Sequence, residues 1–293
     1  MSSPFVRRRR LAAELRTLRE ERDLTTDELA RLIHQSRSKI SRLENGQLRP
    51  DLAELMDLLD ALEVTGDRWD RVVRLARDAA ARGWWDSFGD AMGARQRLYA
   101  DLESGAESIR SYNQTGIPAI LQTREFIAAL VELDQGEGPV DYRPERMTDA
   151  RLHRQRRLLS PDGPTYDMVL DEFVVRRLGV PPAVMAAQLR HLIEVVSAEP
   201  RVTVRALPYD ARITGGLLPK SSFFLYAFPD PADPPMAVVD TVTTDLVHTE
   251  RREVSRYTGH YDRLCRVALS PADSLTFLGK AADQMSDEAG RRS

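Results

Sequence analysis

Arg37, Ser38, Ser41 and Arg42 fall on one outer face of a short helix that the spacing predicts over residues 36–45, with Lys39 at its flank. Guanidinium groups make paired hydrogen bonds to phosphate or to purine edges, and small hydroxyls add adaptable ones. Ile40 and Leu43, three residues apart, form the opposite, apolar side. A helix built this way is suited to reading a polyanion. The same charges would also make an ordinary solvated helix face, and composition alone does not separate the two readings. What separates them is the scaffold on either side.

Thr25 is a good N-cap for a preceding helix over 25–33, and Asp27 and Glu28 place negative charge in its first turn, where the helix dipole favours it. Leu29, Ala30 and Ile33 lie on one stripe of that helix. His34 occupies the turn and belongs to the residues that tolerate positive φ. Ser36 caps the second helix, and Asn45-Gly46 ends it, since both residues accept the left-handed conformation of a helix terminus. Leu11, Leu15 and Leu18 predict a helix before this pair, and Leu52, Leu55, Met56, Leu58, Leu59 and Leu62 one after it. A compact bundle of four or five helices would bury these positions together. The Arg7–Arg10 run at its start reads as a phosphate-contacting arm or as a disordered tail.

Residues 11–64, through LRTLRE, LTTDELA, SRSKISRLENG and RP in order, resemble the helix-turn-helix of lambda-repressor/Cro-type (XRE-like) transcription regulators. The resemblance implies that helix 25–33 lies over the DNA backbone and that helix 36–45 enters the major groove. Carried over position by position, it implies a double-stranded DNA contact set of Thr26, Gln35, Ser36, Arg37, Ser38, Lys39, Ser41, Arg42, Asn45 and Arg49. Arg37 and Ser38 would face bases, and Arg42 bases or phosphate. Asn45 and Arg49 would contact the backbone. Thr26 stands where the family often has a longer glutamine, so the brace that residue gives is shortened here. Arg19 and Glu44 match a pair that is a buried structural salt bridge in that fold.

Charge is distributed to suit this division. Residues 1–50 hold eleven Arg and one Lys against seven Asp and Glu, a net of +5, while the whole chain of 293 residues is −3. The remaining residues therefore carry −8, a basic head on an acidic body. No apolar run approaches the roughly 18 residues of a membrane helix, and the charged N-terminus lacks an apolar signal core, so no membrane partner and a cytoplasmic location are expected. Cys265 is the single cysteine, which excludes an intramolecular disulfide and a cysteine-rich metal site.

Beyond a helix over 68–82, the sequence predicts a mainly antiparallel sheet with helices packed on it, an α+β domain following the mainly α head. The expected boundaries are a helix-turn-helix domain over 5–70, a helical and aromatic connector over 71–100, an α+β domain over 101–279 and a flexible tail over 280–293. Strands are expected at Thr165–Asp171, Arg201–Leu207, Ser222–Phe228 and Met236–Val242, and helices at Ala183–Ser197 and Thr249–Leu269. Residues 133–143 read as a mobile loop, and the basic segment 144–159 as a solvated or partner-facing helix, with DNA contact the alternative.

The segments GWWDSFGDAM, SIRSYNQTGIPAILQTREF, YDMVLDEFVVRR, VTVRALP and YDRLCRVALSP resemble the C-terminal domain of a large actinobacterial regulator family, whose domain has no assigned function. Members are described as antitoxin-like regulators, often paired with a small partner protein. The resemblance implies a regulator, expected to be a homodimer, whose second domain senses a small-molecule effector or docks a small cognate partner protein. An antitoxin-like role, with DNA binding for autoregulation, is the alternative. Trp84, Trp85, Tyr112, Leu121 and Gln122 are candidates for a pocket or interface; for the tryptophans, packing between domains is the competing reading.

Enzymatic chemistry is not expected. His153, His191, His248 and His260 lack metal-ligand spacing, and no glycine-rich phosphate loop or Gly-x-Ser-x-Gly elbow is present. Asp171 and Glu172 lie close to Arg176 and Arg177 and read as ion-paired. No cofactor or metal is expected.

Overall fold

The computed structural model describes residues 2–140, 142–177, 179–213, 220–241 and 244–292. The chain divides into two units, one of residues 1–87, 98–106 and 228–234, the other of residues 88–97, 107–227 and 235–293.

The first unit is built on five helices, α1 (Pro4–Glu20), α2 (Thr26–Leu32), α3 (Arg37–Glu44), α4 (Leu52–Ala61) and α5 (Gly66–Ala80). Its core takes Leu11, Leu15 and Leu18 from α1, Leu29 and Ala30 from α2, Ile40 from α3, Leu55, Leu58 and Leu59 from α4, and Val72, Val73 and Ala76 from α5. These are the positions that helical periodicity selects, and each fully buried leucine contributes about 1.5–3 kcal/mol.

The joints between these helices follow one rule. Each of α1 to α4 ends with a single residue in the left-handed region: Asp23, His34, Gly46 and Glu63, at φ of 52°, 52°, 65° and 52°. The N–H of the following residue then reaches back to a carbonyl of the last turn, as Gln35 does to Ala30 at 2.8 Å and Gln47 to Arg42 at 2.9 Å. Glycine is needed at 46 for a further reason, because a Cβ there would press on the Arg9 side chain at 3.2 Å and on the Arg8 carbonyl at 3.3 Å.

The Arg7–Arg10 run is neither an extended arm nor a tail. Ser3 accepts from the Val6 N–H and caps α1, with Pro4 at its start, so the four arginines lie within a helix. Arg7 and Arg10 pair with Asp230 at 2.9 and 2.8 Å and with Asp233 at 3.3 Å each. The N–H of Ala232 and the guanidinium groups of Arg10 and Arg7 hold the Asp230 carboxyl down at about 2. Arg8 lies 3.5 Å from Asp101, on the part of α6 (Ala94–Gly105) that belongs to this unit. Asp101 is buried and also accepts from the Ser3 hydroxyl and the Phe5 N–H.

The second unit carries one six-stranded mixed sheet of β1 (Ser108–Asn113), β2 (Thr165–Asp171), β3 (Val202–Leu207), β4 (Phe223–Ala227), β5 (Met236–Val239) and β6 (Leu246–His248), in the order β3-β2-β1-β4-β5-β6. Three of its five pairings are antiparallel and two, β1–β2 and β2–β3, are parallel. Parallel neighbours require long crossovers. These are supplied by α7 (Arg124–Glu137) and α8 (Pro144–Leu158) before β2, and by α9 (Glu172–Arg176) and α10 (Pro182–Ala198) before β3.

Helix α11 (Arg251–Val267) covers one face of the sheet, with Val254, Tyr261 and Leu264 against Tyr112, Val169, Phe223, Leu225 and Val239. Four expectations change here. Residues 133–137 extend α7 instead of forming a loop. The segment after Lys280 continues α12 (Pro271–Arg292), because Leu278, Ala281, Ala282 and Met285 give it a buried stripe. Helix α8 does not present all its arginines outward: Arg154 is buried and bonds to Gln96, and Arg151 donates to Gln122 at 2.9 Å. Strand β5 is shorter than expected, and Val242 lies outside the described residues.

Candidate nucleic-acid interface

Local chemistry builds the two helices that carry the candidate contacts. Thr25 accepts from the Glu28 N–H at 3.2 Å, and Glu28 reaches back to the Thr25 N–H at 2.8 Å, a reciprocal capping box that starts α2. The Thr25 N–H, and the Thr25 hydroxyl that donates to the same carboxylate oxygen at 2.7 Å, hold the Glu28 carboxyl below its ordinary value. Ser36 accepts from the Lys39 N–H at 3.2 Å and starts α3. Thr25→Ala should cost about 1 kcal/mol of stability, seen as a lower denaturant midpoint with an unchanged slope; no shift in the midpoint would remove the capping box from this account.

Helix α3 is fixed from beneath. Ile40 is 2% exposed, and Glu44 is buried and takes a bidentate bond from Arg19, at 2.7 Å from Nε and 3.1 Å from Nη2. Arg19 also donates to the Leu24 carbonyl at 2.7 Å, so one guanidinium ties α1, the turn before α2 and the end of α3 together. Arg16 closes the other side, donating to the Glu44 carbonyl at 2.9 Å and to Asn45 at 3.2 Å. Asn45 in turn donates to the Ser41 carbonyl at 2.7 Å. Arg37, Ser38 and Arg42 are left exposed on the outer face of α3, with Ser41 half-buried beside them.

The cations of this surface are largely paired with carboxylates of the same unit. Arg37 lies 3.6 Å from Asp27, Lys39 2.5 Å from Glu54, and Arg49 3.1 Å from Asp86. Arg42 has no ion-pair partner among the described residues. Thr26 is half-buried at the start of α2, Gln35 is half-buried in the turn, and Ser36 is spent on its cap. Gln35, Lys39 and Arg49 line one groove between α3 and α4, floored by Ile40, Leu43 and Leu55. Nothing local in the sequence marks Arg16, Glu54 and Asp86 as part of this surface. Arg9 and Arg16, seven residues apart on α1, share a helical face, a signal that the sequence does carry.

Residues 10–72 match a helix-turn-helix domain family, and residues 96–280 match a domain of unknown function, DUF5753. The second match spans more than half of the chain. The chain belongs to the DUF5753 family. No curated protein and no solved structure matches it. A helix-turn-helix domain ahead of the DUF5753 domain makes it a DNA-binding regulator, and no helix among the described residues is long and apolar enough to cross a membrane.

The five candidate pocket residues divide between the two units. Trp84 and Trp85 belong to the first unit and pack edge to face, with ring centroids 5.9 Å apart and Trp85 buried. In the second unit, Tyr112 packs in the cluster under α11 and donates to Asp171 at 2.7 Å; burial and that carboxylate push its hydroxyl well above the ordinary range. Leu121 and Gln122 lie at the junction of α7, α8 and α10. There Gln188 donates to the Leu121 carbonyl at 2.7 Å, and Gln122 donates to the Ile117 carbonyl at 2.7 Å while accepting from Arg151. Their polar atoms are engaged in holding the fold.

Proposed function

We propose that the chain is a sequence-specific transcription regulator of the lambda-repressor/Cro type, acting as a homodimer and gated through its DUF5753 domain by a small molecule or a small partner protein. The observation that carries the DNA-reading part is α3 itself: its inner side is locked by Ile40 and the Arg19–Glu44 pair, while Arg37, Ser38 and Arg42 stand exposed on its outer side. The buried pair fixes the angle and register at which α3 presents that face, which a helix that must fit a groove requires. The homodimer and the gating rest on the two-domain organisation and on the resemblance to regulators that have a small cognate partner.

Footprinting of the full-length protein on its own upstream DNA tests this reading. Protection in two half-sites about 34 Å apart, or a multiple of that, is expected of a homodimer. A single half-site would remove the homodimer, and no ordered protection on any nearby promoter would remove sequence-specific regulation. Adding a small protein encoded beside this one, the kind of partner the resemblance implies, separates the two forms of gating. Loss of protection points to a protein partner and an antitoxin-like arrangement, whereas unchanged protection points to a small-molecule signal.

A further inference from the structure

Three candidate DNA-facing cations are neutralised from within, but the three carboxylates are held differently. Asp27 and Glu54 belong to α2 and α4, with side chains 52% and 40% exposed against 32% for Asp86. Asp86 belongs to neither of these helices. It lies in the short helical turn Trp84–Ala91, where its second contact is the Gly83 N–H at 3.0 Å. That turn is pinned: Trp85 is buried, and its ring lies so close over Gly83 that a Cβ there would meet ring carbons at 2.2–2.4 Å. The same carboxylate oxygen that accepts from Gly83 lies 3.1 Å from Arg49 Nη2. Arg8 is within the field of both Asp86 and Arg49 and lies 3.5 Å from buried Asp101, so charges of alternating sign run Asp101, Arg8, Asp86, Arg49.

We propose that Asp86 is a built-in competitor for DNA phosphate. Its carboxylate occupies Arg49 in the free protein, and DNA binding exchanges that carboxylate for a backbone phosphate. The aromatic pair has a use in this arrangement that packing alone does not explain: it fixes the competitor at the edge of the reading surface. The turn carrying Asp86 also leads directly into α6 and the DUF5753 domain, which begins at residue 96. A change in that turn therefore alters how many phosphates the surface can hold. The inference rests on the reading of Arg49 as a phosphate contact.

The test is a double-mutant cycle on the full-length protein with a duplex of arbitrary sequence, whose binding reports phosphate contacts alone. Asp86→Asn keeps an oxygen for the Gly83 N–H and removes the charge; Asp86→Ser does the same with a smaller group. Thermal midpoints confirm that each variant is folded. Both should tighten binding about fivefold, the scale of a partly exposed ion pair, and the gain should vanish when Arg49 is alanine. Equal tightening with and without Arg49 would overturn the proposal, since Asp86 would then act only through overall charge. So would unchanged binding by both variants. The underlying reading fails separately: Arg49→Ala alone should flatten the salt dependence by about one unit of log–log slope, and no change in that slope would remove Arg49 from the DNA surface altogether.

Discussion

Glu44→Ala should lower stability by about 3 kcal/mol, the lower end of the range for removing one partner of a buried ion pair. Arg19 has a side chain only 12% exposed, and three of its contacts define the corner where α1, α2 and α3 meet. Without Glu44 the guanidinium keeps only the Leu24 carbonyl at Nη1 and the exposed Glu20 carboxylate 3.7 Å from Nη2, and the anchor at the end of α3 is lost. Calorimetry of the full-length variant should show the first unit melting about ten degrees lower. Glu44→Gln should fall between wild type and the alanine variant, because an amide oxygen still accepts from the guanidinium while the buried carboxylate is gone. A melting temperature within a degree of wild type for the alanine variant would show that the corner is held by apolar packing alone. The Arg19–Glu44 pair would then be an ornament of the fold.

The features legible in the sequence are those whose cause is local. Thr25, Ser36 and Gly46 announce helix ends through bonds to residues three or four positions away, and the structure places those bonds where the spacing predicts. The apolar rows of α1 and α4 and the alternation of β2 and β3 are equally local. What sequence alone hides is pairing at a distance. Arg7 finds Asp230 across 223 positions, and nothing in a run of four arginines distinguishes a free arm from a helix whose charges are claimed by a remote loop. Strand direction is hidden in the same way, since alternation reads alike in parallel and antiparallel neighbours; the crossover helices between β1, β2 and β3 are the only local hint. The end of α12 was masked by composition. Its buried stripe is largely alanine, which carries little hydrophobic signal among polar residues. The candidate surface shows both sides of this. Arg37 and Arg42 are legible from helical phase, but Asp86, thirty-seven positions from Arg49, is not.

Arg37→Ala should reduce discrimination at one base pair by about 1–3 kcal/mol, roughly five- to 150-fold, while leaving binding to unrelated DNA almost unchanged. Arg37 opens α3, its side chain is 72% exposed, and its ion pair with Asp27, at 3.6 Å, is long and open to solvent. Little energy is therefore lost when the guanidinium leaves Asp27 for a base edge. Its position at the N-terminal end of the helix is also where a groove-inserted helix meets bases first. Selection of preferred sites from a random duplex pool, for wild type and variant, reads the effect directly. A preference lost at one position, symmetric in both half-sites, assigns that base to Arg37. A uniform loss across all sequences, with a shallower salt dependence, would make Arg37 a phosphate contact and shift base reading to Arg42 and Ser38. The two results differ because a phosphate presents the same face in every sequence, and only a base edge makes the cost of the lost guanidinium depend on which base pair is there.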